Sequence, residues 1–116
     1  MSSLIYETSE SHLTPDKLEL ILQELRKKLA GRVSAAYIFG SASSGEVSKN
    51  SDIDLILVQE YPTEPFVKRA FEFLDLLEVF PRLDILVYSP QELTAQLEDS
   101  QLGFWKSARE SLRSIL

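Results

Sequence analysis

Residues 37–58 read YIFGSASSGEVSKNSDIDLILV, and this stretch constrains the chain more than any other. An apolar, strand-like run, Tyr37-Ile38-Phe39, stops at Gly40-Ser41. A segment of small residues follows and is closed by Gly45. Ser51-Asp52-Ile53-Asp54 then opens a second apolar run over residues 55–58. Side chains alternate along a strand, so Asp52 and Asp54 project to one face. Like charges held that close repel, and the arrangement costs stability unless a cation offsets it.

Mg²⁺ takes carboxylate oxygens and keeps positions open for substrate phosphates. The Gly40-Ser41 turn offers backbone N–H groups, and a short helix starting there would aim its N-terminus at an anion. Gly40 lets the backbone come close to a triphosphate, and the Ser41 hydroxyl and N–H can donate to it. Together these parts describe a metal–nucleotide site. Each half alone has a plainer reading, with Asp52 and Asp54 as turn and cap residues before a strand. Gly45 reads as a turn glycine. Ser51 reads either as a turn-forming hydroxyl or as a substrate contact.

The order Gly40, Ser41, Gly45, Ser51, Asp52, Ile53, Asp54, Leu55 resembles the minimal nucleotidyltransferases of the polymerase-β superfamily. The small antitoxin-type members, partners of HEPN-domain toxins, carry G-S-x-x-x-G followed by S-D-[IV]-D-L. The resemblance covers residues 14–98. Many relatives place arginines between the serine and the second glycine, where this chain has Ala42 and Ser44. The resemblance implies a polymerase-β-like α/β (α+β) fold, with helices packed on a small three-stranded mixed sheet. It also implies transfer of AMP from ATP with Mg²⁺, and a third aspartate on a later strand.

Composition narrows the alternatives. The 116 residues make one domain, expected over 14–116 behind an arm at 1–13. There is no cysteine and one histidine, His12, which excludes disulfides, thiolate metal sites and a histidine-rich zinc site. His12 reads as a surface residue. No run of about 18 apolar residues and no basic–apolar leader is present, so the expected location is the cytoplasm, away from membranes. The net charge of −6 argues against a broad nucleic-acid surface.

The first helix is expected from Thr14, a good N-cap, and Pro15 to a stop at Gly31. Leu18, Ile21, Leu22, Leu25 and Leu29 form its apolar stripe. Strand one is expected at 33–39, apolar on both faces and therefore central. A short helix follows at 41–44, then strand two at 53–59. A third helix is expected at 65–80, with a polar stripe of Lys68, Glu72 and Asp75. Its apolar residues, among them Phe66, Phe73, Leu76 and Leu77, exceed what one face can bury. One of those four is therefore expected to face another chain. Strand three is expected at 83–88. Ser89-Pro90-Gln91-Glu92 is a capping box that starts a fourth helix. A last helix is expected at 101–115, with Leu102, Trp105, Ala108, Leu112 and Ile115 on its core side. Lys106, Arg109 and Arg113 form a basic face, either solvated or in contact with an acidic partner or a phosphate.

For one ligand to touch both Gly40-Ser41 and the two aspartates, strands one and two must run antiparallel. The third helix then returns strand three parallel to strand two by a right-handed crossover. The residue delivered to the mouth is Asp84, which matches the third aspartate of the superfamily. Asp52, Asp54 and Asp84 are thus the expected metal and catalytic residues, with Gly40, Ser41 and Ser51 on the nucleotide. Three carboxylates suit two Mg²⁺ ions beside a triphosphate. By resemblance, Asp84 also stands where a base could take the acceptor's proton.

The expected activity is adenylyl transfer to a protein hydroxyl, by resemblance a tyrosine of a HEPN toxin, with homo- or hetero-oligomer contact through helix 65–80. A catalytically idle antitoxin that masks its partner, and a small-molecule nucleotidyltransferase, are the competing readings.

Overall fold

A computed structural model describes residues 14–39, 52–99 and 112–116. Helix α1 (Pro15–Leu29) starts and stops at its sequence signals. The Thr14 hydroxyl accepts from the Lys17 backbone N–H at 3.2 Å. Gly31 takes φ +79°, a left-handed conformation in which a side chain would be strained. Leu18, Ile21, Leu22, Leu25 and Leu29 are all buried, as their spacing predicts.

The sheet contains β1 (Ala35–Phe39), β2 (Ile53–Val58), β3 (Leu83–Tyr88) and β4 (Arg113–Ser114), in the order β3-β2-β1-β4. β1 and β2 are antiparallel and β2 and β3 parallel, which is the layout the ligand argument requires. Strand alternation divides the apolar residues between two faces. Ala36, Ile38, Ile53, Leu55, Leu57, Leu83 and Val87 join α1 in the main core. Phe39, Ile56, Val58 and Tyr88 face the other way and meet Leu93 of helix α3 (Pro90–Asp99).

Among the described residues the sheet has four strands rather than the three expected, and the fourth is residues 113–114. Residues 112–116 are not the end of a helix. Tyr37 pairs with Ser114 and Ile38 with Arg113, and the Ile115 N–H donates to the Ala36 carbonyl at 3.0 Å. The physical reason is the open edge of β1, whose backbone groups need partners. Helical spacing would set Leu112 and Ile115 on one side. In the extended chain they separate, Leu112 against the Phe39–Tyr88 cluster and Ile115 in the main core. Arg113 is not part of a free basic face, because it pairs with Glu19 of α1 at 3.1 Å. The helix expected at 41–44 and most of the one at 101–115 lie outside the described residues, as do Trp105, Lys106, Arg109 and His12.

The single helix expected at 65–80 is two pieces, α2 (Phe66–Arg69) and a 3₁₀ helix (Ala70–Glu78) with a kink at Phe73 (φ −113°, ψ 18°). A 3₁₀ helix has three residues per turn. Phe73, Leu76 and Val79 therefore share a row, and all three are fully buried. The neighbouring row carries Phe71 and Leu74, 65% and 49% exposed. This corrects the expected outward residues: Phe73 and Leu76 point inward, and Leu77 packs on the main core. Phe66 is 39% exposed and leans on Tyr88, with ring centroids 5.0 Å apart. Arg32 secures the kink by pairing with Asp75, donating to the Glu72 carbonyl and lying 4.9 Å from the Phe73 ring centroid.

Helix α3 begins with the capping box that its sequence announces. The Ser89 N–H donates to Glu92 at 2.8 Å, and the Glu92 N–H donates to the Ser89 hydroxyl at 3.2 Å. Arg69 joins this corner to α2. It donates to both Glu92 carboxylate oxygens and to the Glu64 and Val87 carbonyls. Among the described residues, no helix is long and apolar enough to cross a membrane.

Candidate active site

The parallel register sets Asp54 of β2 directly beside Asp84 of β3. On its other side Asp54 faces Phe39, the last residue of β1. β1 therefore ends beside this pair of aspartates. Gly40, Ser41 and Ser51 themselves, with Ala42, Ser44 and Gly45, lie outside the described residues. Asp54 and Asp84 alternate with the main-core residues Ile53, Leu55, Leu83 and Ile85, so they stand on the face that carries α3.

Asp54 is half-buried, whereas Asp52 and Asp84 are exposed. Burial first, then a hydrogen bond with Asp84 and the negative charges of Asp84 and Asp52, push the Asp54 carboxyl up to about 6. The cause is the crowding expected for carboxylates at one strand mouth. A carboxyl in that range can hold or pass a proton close to neutral pH.

Asp52, just ahead of β2, is near enough to add its charge to Asp54 but is also engaged elsewhere. Its Oδ1 lies 3.6 Å from Nε of Arg82. Among the described residues, no three acidic or histidine side chains gather closely enough to hold a metal ion. The donors are nevertheless of the right kind for a hard divalent cation, being carboxylate oxygens at an accessible strand mouth. Asp54 and Asp84 are the pair that the fold brings together.

Arg82 is the residue that sequence reasoning missed. It precedes Asp84 by two positions, as Asp52 precedes Asp54. The spacing that made Asp52 a candidate was therefore present for Arg82 too.

The fold is a mixed-sheet α/β domain with an acidic pair at the start of two parallel strands. Residues 17–114 match the profile described as "Nucleotidyltransferase domain", and the chain belongs to that family. Membership supports transferase chemistry. A solved structure from Sulfolobus solfataricus, provisionally named a nucleotidyltransferase, is 21% identical. It aligns with a TM-score of 0.56 over 69% of this chain and 74% of its own, a likeness of fold. A structure described as a toxin–antitoxin with AMP-PNP is 17% identical, with a TM-score of 0.48 over 84% of this chain and 72% of its own. No curated protein matches the chain.

Proposed function

We propose that the protein is a Mg²⁺-dependent adenylyltransferase that moves AMP from ATP to a hydroxyl of a partner protein, a tyrosine of a HEPN-domain toxin, and thereby acts as its antitoxin. The observation that carries the reading is the Asp54–Asp84 pairing across β2 and β3, with Asp52 two residues before Asp54. It supports nucleotidyl transfer within a family already defined by that chemistry. The acceptor and the antitoxin role rest on the motif from Gly40 to Leu55.

In this reading Asp52, Asp54 and Asp84 hold two Mg²⁺ ions, which would supply charge stabilisation for the attacking and leaving oxygens. Gly40 admits the triphosphate, and Ser41 and Ser51 donate to it. The acceptor oxygen bonds to the α-phosphorus, the bond to the bridging oxygen of the β-phosphate breaks, and pyrophosphate leaves. Asp84, the more exposed of the pair, takes the acceptor's proton. Asp54 lies deeper, set in the sheet between Phe39 and Asp84.

A second reading has support of its own. Val67, Phe71 and Leu74 are 78%, 65% and 49% exposed along α2 and the 3₁₀ helix, and they would suit a protein contact with or without catalysis. An antitoxin that only masks its toxin would use the same surface. Incubation with ATP, Mg²⁺ and a HEPN toxin, followed by intact-mass and peptide analysis, separates the two. One AMP unit on a toxin tyrosine, lost in Asp54→Asn, is the expected result. A stable complex whose toxin gains no mass would overturn the enzymatic reading and leave masking.

A further inference from the structure

Among the described residues, Arg82 is a cation that stands with the acids of the strand mouth. Extending the β2–β3 register by one position sets Arg82 opposite Asp52, as Asp84 stands opposite Asp54. The Ile53 N–H donates to the Arg82 carbonyl at 3.0 Å, which locks the Arg82 backbone to the start of β2. Its Nε lies 3.6 Å from Asp52, and its guanidinium carbon is 5.6 Å from the ring centroid of buried Phe80. The arginine is 30% exposed and the aspartate 59%. An ion pair this open contributes little to folding, so stability does not account for it.

We propose that Arg82 is a polyphosphate-binding residue of the nucleotide site, held ready by Asp52 and handed over to the β- and γ-phosphates when nucleotide binds. The proposal rests on the nucleotidyltransferase reading given above. When Asp52 serves as a metal ligand, its charge is no longer available to Arg82. The guanidinium then stands at the mouth of β2 and β3 beside the acids that would hold the metal, within reach of a triphosphate bound there. Its planar fork matches phosphate oxygens, which a lysine in that place would engage only as a point charge. The nearby Phe80 ring limits the directions the guanidinium can take. Pairing with Asp52 also offsets part of the acidic repulsion until the ligand arrives.

The test reads binding rather than turnover. AMP-PNP with Mg²⁺, AMP with Mg²⁺, and Mn²⁺ alone are titrated by calorimetry into wild type, Arg82→Gln and Arg82→Lys, each checked for folding by circular dichroism and thermal melting. Arg82→Gln should weaken AMP-PNP by about ten- to a hundredfold, the effect of losing charge-assisted hydrogen bonds. AMP, which lacks the β- and γ-phosphates, should bind as it does to wild type. Mn²⁺ alone should bind Arg82→Gln more tightly, because the competitor for Asp52 is gone. Arg82→Lys should lose part of the AMP-PNP affinity, and it carries the comparison if the glutamine variant does not fold. Equal AMP-PNP affinity in wild type and variant overturns the proposal. So does an equal loss for AMP and AMP-PNP, which marks general disruption, or an unchanged affinity for Mn²⁺. A wild type that binds neither nucleotide removes the nucleotidyltransferase reading and this inference with it.

Discussion

Replacing Glu92 with glutamine tests whether the corner that holds α3 on the carboxylate-bearing face is electrostatic. Glu92 accepts from Arg69 at 2.6 and 3.3 Å and from the Ser89 N–H at 2.8 Å. These bonds, Arg69 first, hold its carboxyl down to about 2 from an ordinary 4.5. A shift of that size in a shielded site would be worth about 3 kcal/mol. The Glu92 side chain is 43% exposed, so solvent screening reduces the expectation to about 1–2 kcal/mol. Glutamine keeps an acceptor for Ser89, so the helix cap survives and only the charge is lost. At neutral pH the variant should melt about 5–10 °C below wild type. Because the folded value is depressed, this stability is complete above about pH 4.5 and is lost as pH falls through about 2. Urea midpoints for both proteins, taken stepwise from neutral into acid, should therefore converge. Equal midpoints at neutral pH, or a gap that stays constant into acid, would refute the electrostatic account of this corner.

Three further outcomes are expected. Asp54→Asn and Asp84→Asn should each lower adenylyl transfer by about a thousandfold or more while keeping the wild-type circular dichroism spectrum; near-normal transfer by either would remove that residue from the site. Ile115→Ala should cost about 2–4 kcal/mol in urea unfolding, as a core truncation does, because Ile115 is 2% exposed; a cost under about 0.5 kcal/mol would contradict its burial. Phe71→Glu should leave the melting temperature nearly unchanged and abolish co-purification with the proposed toxin partner, whereas Phe73→Ala should cost about 3–5 kcal/mol; the reverse pattern would mean that the two 3₁₀ rows are assigned the wrong way round.

The elements that local chemistry could specify are the ones whose limits agree between sequence and structure. Thr14, Pro15 and Gly31 bound α1 because caps and left-handed stops act within one helical turn. Ser89 and Glu92 start α3 for the same reason. The alternation of Asp52 and Asp54 is a property of any extended chain. Given strands that must share a ligand, the placement of Asp84 followed from connectivity alone.

Tertiary structure decided where backbone and side chains meet partners far away in the chain. Residues 113–114 are extended because β1 had an unpaired edge 75 residues earlier, a demand that no helical period in 101–115 could reveal. The 3₁₀ geometry of Ala70–Glu78 follows from fitting Phe73, Leu76 and Val79 into the core while Arg32 grips Asp75 and the Glu72 carbonyl. Arg82 gained its meaning only when β2 and β3 brought it opposite Asp52. The sequence by itself determined the ends of α1, the start of α3, the first three strands and the acidic motif, because those depend on neighbours along the chain. Which apolar row faces out, where the last strand docks and which cation shares the strand mouth depend on packing, and packing exists only once the chain has folded.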